Sequence, residues 1–470
     1  MNRMLMGREA AEVLTKGLGR RKFLSAAAGI GALAVATGCS ANAAQTPPTV
    51  PSGSSAAGTA GTAGTAGTAG ASKAVPGSIL QPNTGDVPGD HYLASTPDDV
   101  LWGYVPTVHA TPVAQIKSGQ TITIDALSHE GILEDQGRDP LTFFGSHGVE
   151  KNGVLQDAVD IAADYSRTPR NFDTDGPHVV TGPVAVEGAE PGDVLKIETL
   201  AAVPRVPYGV VSSRHGKGSL AVQKGPAAPE GITLEEVMPP AALDNRASGI
   251  PTDYHNVSVF TAVEDGKGVM TSGDMKVRFP LRPFMGMMGV AFAESSGLTD
   301  PEANSVPPTL GGGNIDIRHL GPGSTFYLPV KADGALFYVG DPHMGMGDGE
   351  VALTAMEGSL RGTFRLTVCK PGAGDAPELA HRYPFGETAE AWIPIGLSDP
   401  DGLGGGGVGS DLNVAMRRAV VNALDFLEQE KGMDRAVAYA YLSAAADFAV
   451  SQVVDRTVGV HGLIRKADFG

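Results

Sequence analysis

The chain of 470 residues is too long for one small core, so it packs as two or three lobes. Its 64 glycines and 34 prolines suit many short strands and turns better than long helices. Formal charge is -17, and because the first 38 residues hold six Lys/Arg against two Glu, the remainder carries about -21, which repels phosphate backbones and excludes nucleic acid as the expected partner.

The N-terminus reads as an export signal over residues 1–39. Arg20-Arg21-Lys22-Phe23-Leu24 is a twin-arginine pair followed by an Ala/Gly-rich apolar run to Ala36, too short to span a bilayer as a helix. The expected partner is the twin-arginine export machinery, which carries folded proteins, and the expected location lies outside the cytoplasm, periplasmic or membrane-anchored. Ala36-Thr37-Gly38-Cys39 resembles a lipoprotein cleavage box that would leave a lipid anchor at Cys39, while Ala41-Asn42-Ala43 offers a cleavage site for a soluble product. Either way Cys369 is left without an intrachain partner. Residues 40–90, with the Gly-Thr-Ala repeat from Gly58 to Gly70, read as a flexible spacer.

Order is expected from His91. Alternation of polarity predicts strands at Thr121–Asp125, Val194–Glu198 and Met275–Phe279, with further strands at Thr325–Val330, Ala335–Val339 and Phe364–Val368. The fold class is therefore mainly β over 91–370, built as β-sandwich lobes with added α/β elements. A helical tail over 410–450 follows. Asp411 caps a first helix whose stripe is Leu412, Met416, Ala419, Val420, Ala423 and Leu427; Gly432 stops it, and Asp434 caps a second helix through Tyr439, Leu442 and Ala446.

Two polar clusters stand out. In Gly340-Asp341-Pro342-His343-Met344-Gly345-Met346-Gly347-Asp348-Gly349-Glu350, residues two apart on an extended chain project to one side. That pairs Asp341 with His343 and Asp348 with Glu350, and upstream Asn314 with Asp316. The plain alternative is a Gly-rich surface hairpin with solvated carboxylates, but acid and imidazole crowded between apolar strands favour a site. His129 and Glu130 lie just past the Thr121–Asp125 strand in an acidic neighbourhood; a lone His there is often structural. No Gly-x-Ser-x-Gly elbow occurs, Cys369 has no His nearby in sequence, and Gly402, Gly404 and Gly407 follow a turn rather than a strand.

Taken as an ordered set, Ser128–Ile132, Gly176-Pro177-His178, Arg214-His215-Gly216-Lys217-Gly218, Arg282–Gly286, Gly312–Asp316, Gly340–His343 and Gly347–Glu350 resemble the acetamidase/formamidase family. Ser443, Asp447 and Val454-Asp455 near the end extend the resemblance, which runs from His91 to the C-terminus as one catalytic domain over 91–470. It implies a β-sandwich core, homo-oligomers, and hydrolysis of short linear amides to carboxylate and ammonia. Met346 stands where the family usually has Gln, which bears on substrate choice.

Amides resist water through resonance and a poor leaving group, so the expected cofactor is a divalent metal ion that polarises the carbonyl and activates water. Its expected ligands are His129, Asp341 and His343. Mixed His/carboxylate ligation suits zinc, and an oxygen-only site suits calcium or magnesium. Glu350 is the expected general base, with Glu130 or Asp348 as substitutes. Asn314, Asp316 and Phe284 are assigned to the amide substrate. The alternative reading is an exported binding protein of the same fold that captures small amides or metal without turnover.

Overall fold

A computed structural model describes residues 79–214, 216–221, 228–239, 256–293, 302–399 and 411–470. The export signal, Cys39, the Gly-Thr-Ala repeat, His215 and the 402–407 glycines lie outside these described residues. Two large sheets dominate. The first runs, in spatial order, His91–Leu93, Thr121–Ala126, Leu360–Cys369, Val194–Pro204, Thr325–Pro329, Phe385–Glu387, Ala391–Leu397, Gly459–Arg465 and Asp447–Gln452. Only its first pair is parallel. The second runs Met275–Pro280, Lys267–Ser272, Val257–Glu264, Tyr208–Ser213, Met356–Glu357, Phe337–Gly345, Phe284–Val290 and Gly312–Asn314, and Val179–Glu187 also pairs with Phe337–Gly345.

Both sheets contribute to a single apolar core. Ile122, Ile124, Leu195, Ile197 and Phe364 of the first lie in it with Val184, Met285, Met288, Phe337 and Val339 of the second. The rings of Phe337 and Phe364 meet edge to face with centroids 5.6 Å apart. Val194–Pro204 alternates more and less buried residues as a strand with one face on a core does, whereas Thr121–Ala126, Phe284–Val290 and Phe337–Gly345 are buried along nearly their whole length. The mainly β fold expected from the sequence is thus the one found, with short helices Pro140–Ser146 and Gln156–Asp164 as its added α elements.

Three boundaries differ from expectation. The strand expected over Ala335–Val339 begins at Phe337 and continues to Gly345, so Asp341 and His343 lie within it. The C-terminal helices are Leu412–Lys431, capped by Asp411, and Arg435–Ala445, capped by Asp434. They end before 450, and the chain returns as strands Asp447–Gln452 and Gly459–Arg465 at the edge of the first sheet. The buried face of the first helix is Ala415, Ala419, Asn422, Ala423, Phe426 and Leu427, while Leu412 and Met416 are exposed. Close approach explains the shift: a Cβ on Gly396 would strike the backbone of Ala415 and Ala419, so small residues face the strand. Asn422 Nδ2 donates to Ile395 O at 2.7 Å and fixes that contact.

The last difference concerns residues 79–90, which the sequence assigns to the spacer. Leu80 N donates to Arg205 O, and the buried Arg361 guanidinium donates to Gln81 O and Asp86 O while gripping both carboxylate oxygens of Asp125. This stretch is therefore docked on the domain.

Candidate metal centre

The Phe337–Gly345 strand carries the centre. Register sets Phe284 opposite His343 on one side and Glu357 opposite His343 on the other. Asp341 Oδ2 lies 3.1 Å from His343 Nε2, which is also 3.1 Å from Glu357 Oε1 and 3.7 Å from Glu350 Oε1. Asp316 Oδ1 lies 3.8 Å from His343 Nδ1. All five side chains are buried. Gly286 makes the crowding feasible, because a Cβ there would fall 2.5 Å from both Asp316 Oδ1 and His343 Cε1.

Two further histidines reach Asp341 from other segments. His129, just past the Thr121–Ala126 strand, places Nδ1 3.6 Å from Asp341 Oδ1, and His178 places Nε2 3.7 Å from Asp341 Oδ2. The two rings meet edge to face at 5.4 Å. His178 Nδ1 is 2.9 Å from Ser305 Oγ, a bond that orients the ring and leaves Nε2 for the centre. Asp455 enters from the turn after Asp447–Gln452, where Gln452 Oε1 accepts from the Val454 and Asp455 amides. Asp316, Glu350 and Asp455 bring carboxylate oxygens within 4.8 Å of one another.

The backbone is strained where the acids sit. Asp316, Asp341 and Glu350 have φ of 50°, 48° and 45°, a left-handed conformation unfavourable for side chains other than glycine and, to a lesser degree, Asn or Asp. Strain of this kind persists only when surrounding structure enforces it, and it clusters at functional sites.

Charge is poorly balanced in the bare protein. Burial, with Asp455 beside it, holds Asp316 well above the usual carboxylate range, and burial with Asp316 nearby does the same to Glu350. Burial and the Asp341 charge push Glu357 up to about 7. Asp341 goes the other way: burial raises it, but His178 and His343 outweigh burial and hold it low. Burial pushes His178 down to about 4, a neutral imidazole able to donate a lone pair.

A cation fits this donor set. Both ring nitrogens of His129, Asp341 Oδ1, His343 Nδ1, Glu357 Oε2 and Asn314 Oδ1 are buried with no hydrogen-bond partner. Each such orphan costs about 1–3 kcal/mol, a penalty that a bound ion removes from the atoms it reaches. The donors form adjoining groups: His129, His178 and Asp341; Asp316, Asp341 and His343; His343, Glu350 and Glu357; and Asp316, Glu350 and Asp455.

The sequence-derived residues are distributed as follows. Asp341 meets His129 together with His178, and meets His343 together with Asp316, so the expected ligand trio is split between two adjoining groups. Glu350 faces the cleft lined also by His129, His178, Asn314, Asp341 and Glu357. Glu130 is buried but committed elsewhere: Arg214 Nη2 lies 2.9 Å away, Ser212 Oγ donates at 2.6 Å, and Gln136 bonds it as well. Burial raises its pKa, yet Arg214 and His129 overcome this and hold it far below the carboxylate range, which makes it a weak base. Asp348 is bound by Arg318 at 2.6 Å and groups with His319 and His461 instead. Phe284 is fully buried with its ring edge-on to His343 at 5.0 Å, so it packs behind that imidazole rather than over a substrate. Asn314 donates Nδ2 to Val306 O and leaves Oδ1 free at the cleft.

The sequence alone gives His178, Glu357 and Asp455 no role in the site. His178 and Asp455 fall within segments that carry the family resemblance. Glu357 has no local signal, since only cross-strand register brings it to His343.

Comparison with known proteins identifies the family and the fold. The profile of the Acetamidase/Formamidase family matches residues 150–301 and 293–461. An acetamidase of Mycolicibacterium smegmatis is 27% identical over 232 residues, covering 40% of this chain and 52% of that protein. A formamidase of Methylophilus methylotrophus is 23% identical over 299 residues, covering 57% of this chain and 70% of that protein. The matched stretch thus spans 52–70% of the length of such relatives. Among solved structures, an acetamidase from Bacillus halodurans superposes with a TM-score of 0.56 at 22% identity, covering 80% of this chain and 98% of that one. One from Yersinia enterocolitica gives 0.56 at 23%, covering 81% and 93%. These likenesses establish a shared fold.

Proposed function

The chain belongs to the acetamidase/formamidase family, and on that footing we propose that it hydrolyses short linear amides to carboxylate and ammonia with a divalent metal held at the Asp341 centre. The observation that carries this reading is the set of buried, unpartnered nitrogen and oxygen atoms around Asp341. His129, His178 and Asp341 would hold the ion, and two imidazoles with one carboxylate match zinc best. When bound, the ion supplies Lewis acidity toward the amide carbonyl and toward water.

The remaining work falls to side chains of the chain itself. Asn314 Oδ1 accepts the N–H of the amide and orients it in the cleft. Glu350 takes the proton from water and returns it to the departing nitrogen, and Glu357, close to neutral pKa and bonded to His343, is the second group able to do so. Burial keeps bulk water from competing for these hydrogen bonds.

Formamide and acetamide mixed with the purified protein should release ammonia. Binding of either amide without ammonia release would transfer the assignment to a non-catalytic binding protein. We also propose export by the twin-arginine route, on the strength of Arg20-Arg21, with Cys39 as a lipid anchor and a homo-oligomeric mature form. Changing both arginines to lysine should leave the precursor in the cytoplasm; undiminished export would overturn that part alone.

A further inference from the structure

A second donor group lies outside the Asp341 centre. His319, Asp348 and His461 each offer a ligand atom within 4.8 Å of the others. Their Nε2, Oδ1 and Nε2 atoms, respectively, are buried and make no hydrogen bond. His461 is fully buried, whereas His319 and Asp348 are only part-buried and open a route from solvent.

The groups around this trio are those a metal site needs. His461 Nδ1 lies 2.9 Å from Ser451 Oγ, which fixes the ring and leaves Nε2 as the lone-pair donor. Arg318 Nη2 holds Asp348 Oδ2 at 2.6 Å and turns Oδ1 free. Edge-to-face packing of the two imidazoles, with centroids 5.4 Å apart, is the simpler account of their proximity. It leaves both Nε2 atoms and one carboxylate oxygen desolvated and unpaired, which packing alone does not repay.

We propose that His319, Asp348 and His461 form a second metal site, structural in role, for a late first-row divalent ion such as zinc. Two imidazoles and a carboxylate supply three ligands, with water completing the shell on the open side. The ion would join three segments of chain. Asp348 is two residues from Glu350, His319 is three from Asp316, and His461 sits on the Gly459–Arg465 strand. The turn carrying Asp348 is already tied there, since Gly349 N donates to Ser451 O at 3.0 Å. Metal at this position therefore steadies the segments that deliver Asp316 and Glu350 to the Asp341 centre.

The test uses the full chain, stripped with chelator and reloaded with Zn²⁺, with metal counted per chain by mass spectrometry. His319→Ala should hold one equivalent fewer than wild type. In a His129→Ala/Asp341→Asn background the metal still bound should vanish when His319→Ala is added. Unchanged stoichiometry on His319→Ala would overturn the proposal. Should that variant misfold, wild type provides the reading by itself: Zn²⁺ should shield His319 from acylation by diethyl pyrocarbonate, mapped by peptide mass, and equal labelling with and without Zn²⁺ would refute the site.

Discussion

At the scale of single residues, the centre gathers more carboxylate than its imidazoles can neutralise, and this separates folding from function. Asp316, Glu350 and Asp455 crowd one another in a buried space. Asp316→Asn should therefore stabilise the metal-free protein, by about 1–3 kcal/mol, while weakening metal binding. Thermal melts with and without Zn²⁺ would reveal the opposite signs. Glu350→Gln keeps size and metal ligation at His129, His178 and Asp341 but removes the base, so turnover should fall on the order of a hundredfold or more with metal content intact. Full activity with metal bound would move the proton to Glu357. Gly286→Ala inserts a methyl where Asp316 and His343 already sit. It should lower both stability and metal affinity, and a melt and a metal titration indistinguishable from wild type would contradict the packing described.

At the scale of elements, a buried hydrogen bond from Asn422 to Ile395 O helps hold the helix pair on the first sheet within a largely apolar face. Removing it by Asn422→Ala strands the buried Ile395 carbonyl and should cost about 1–3 kcal/mol in a denaturant titration, with little change at the distant metal centre. The elements themselves were legible to different degrees. Alternating polarity located Thr121–Ala126, Val194–Pro204 and Met275–Pro280, but only Val194–Pro204 alternates in burial, whereas Thr121–Ala126 is buried nearly throughout and Met275–Pro280 is almost wholly exposed. The helix caps Asp411 and Asp434 were readable from residue type. The face of the first helix was not, since the decisive feature is Gly396 on another strand. Likewise the Asp341/His343 pair is local and visible, whereas Glu357 reaches His343 only through strand register, and Met356–Glu357 is too short to carry a pattern.

At the scale of the whole molecule, the centre draws on segments from His129 to Asp455, so its assembly depends on the sandwich being complete. The start of the domain can be tested directly. A chain beginning at Ile79 should fold as the mature protein does, while one beginning at His91 loses the Gln81 and Asp86 carbonyls that accept from Arg361 and should melt at lower temperature. Composition alone could not place that boundary, because residues 79–90 look like the spacer before them and are fixed by arginines far along the chain. The central claim is that the buried donors around Asp341 hold a metal required for amide hydrolysis. Its most direct measurement is ammonia release from formamide as chelator-stripped protein is titrated with Zn²⁺. The account predicts negligible release without metal and a rise with added Zn²⁺ that His129→Ala and Asp341→Asn largely abolish; full turnover by the stripped protein would contradict it.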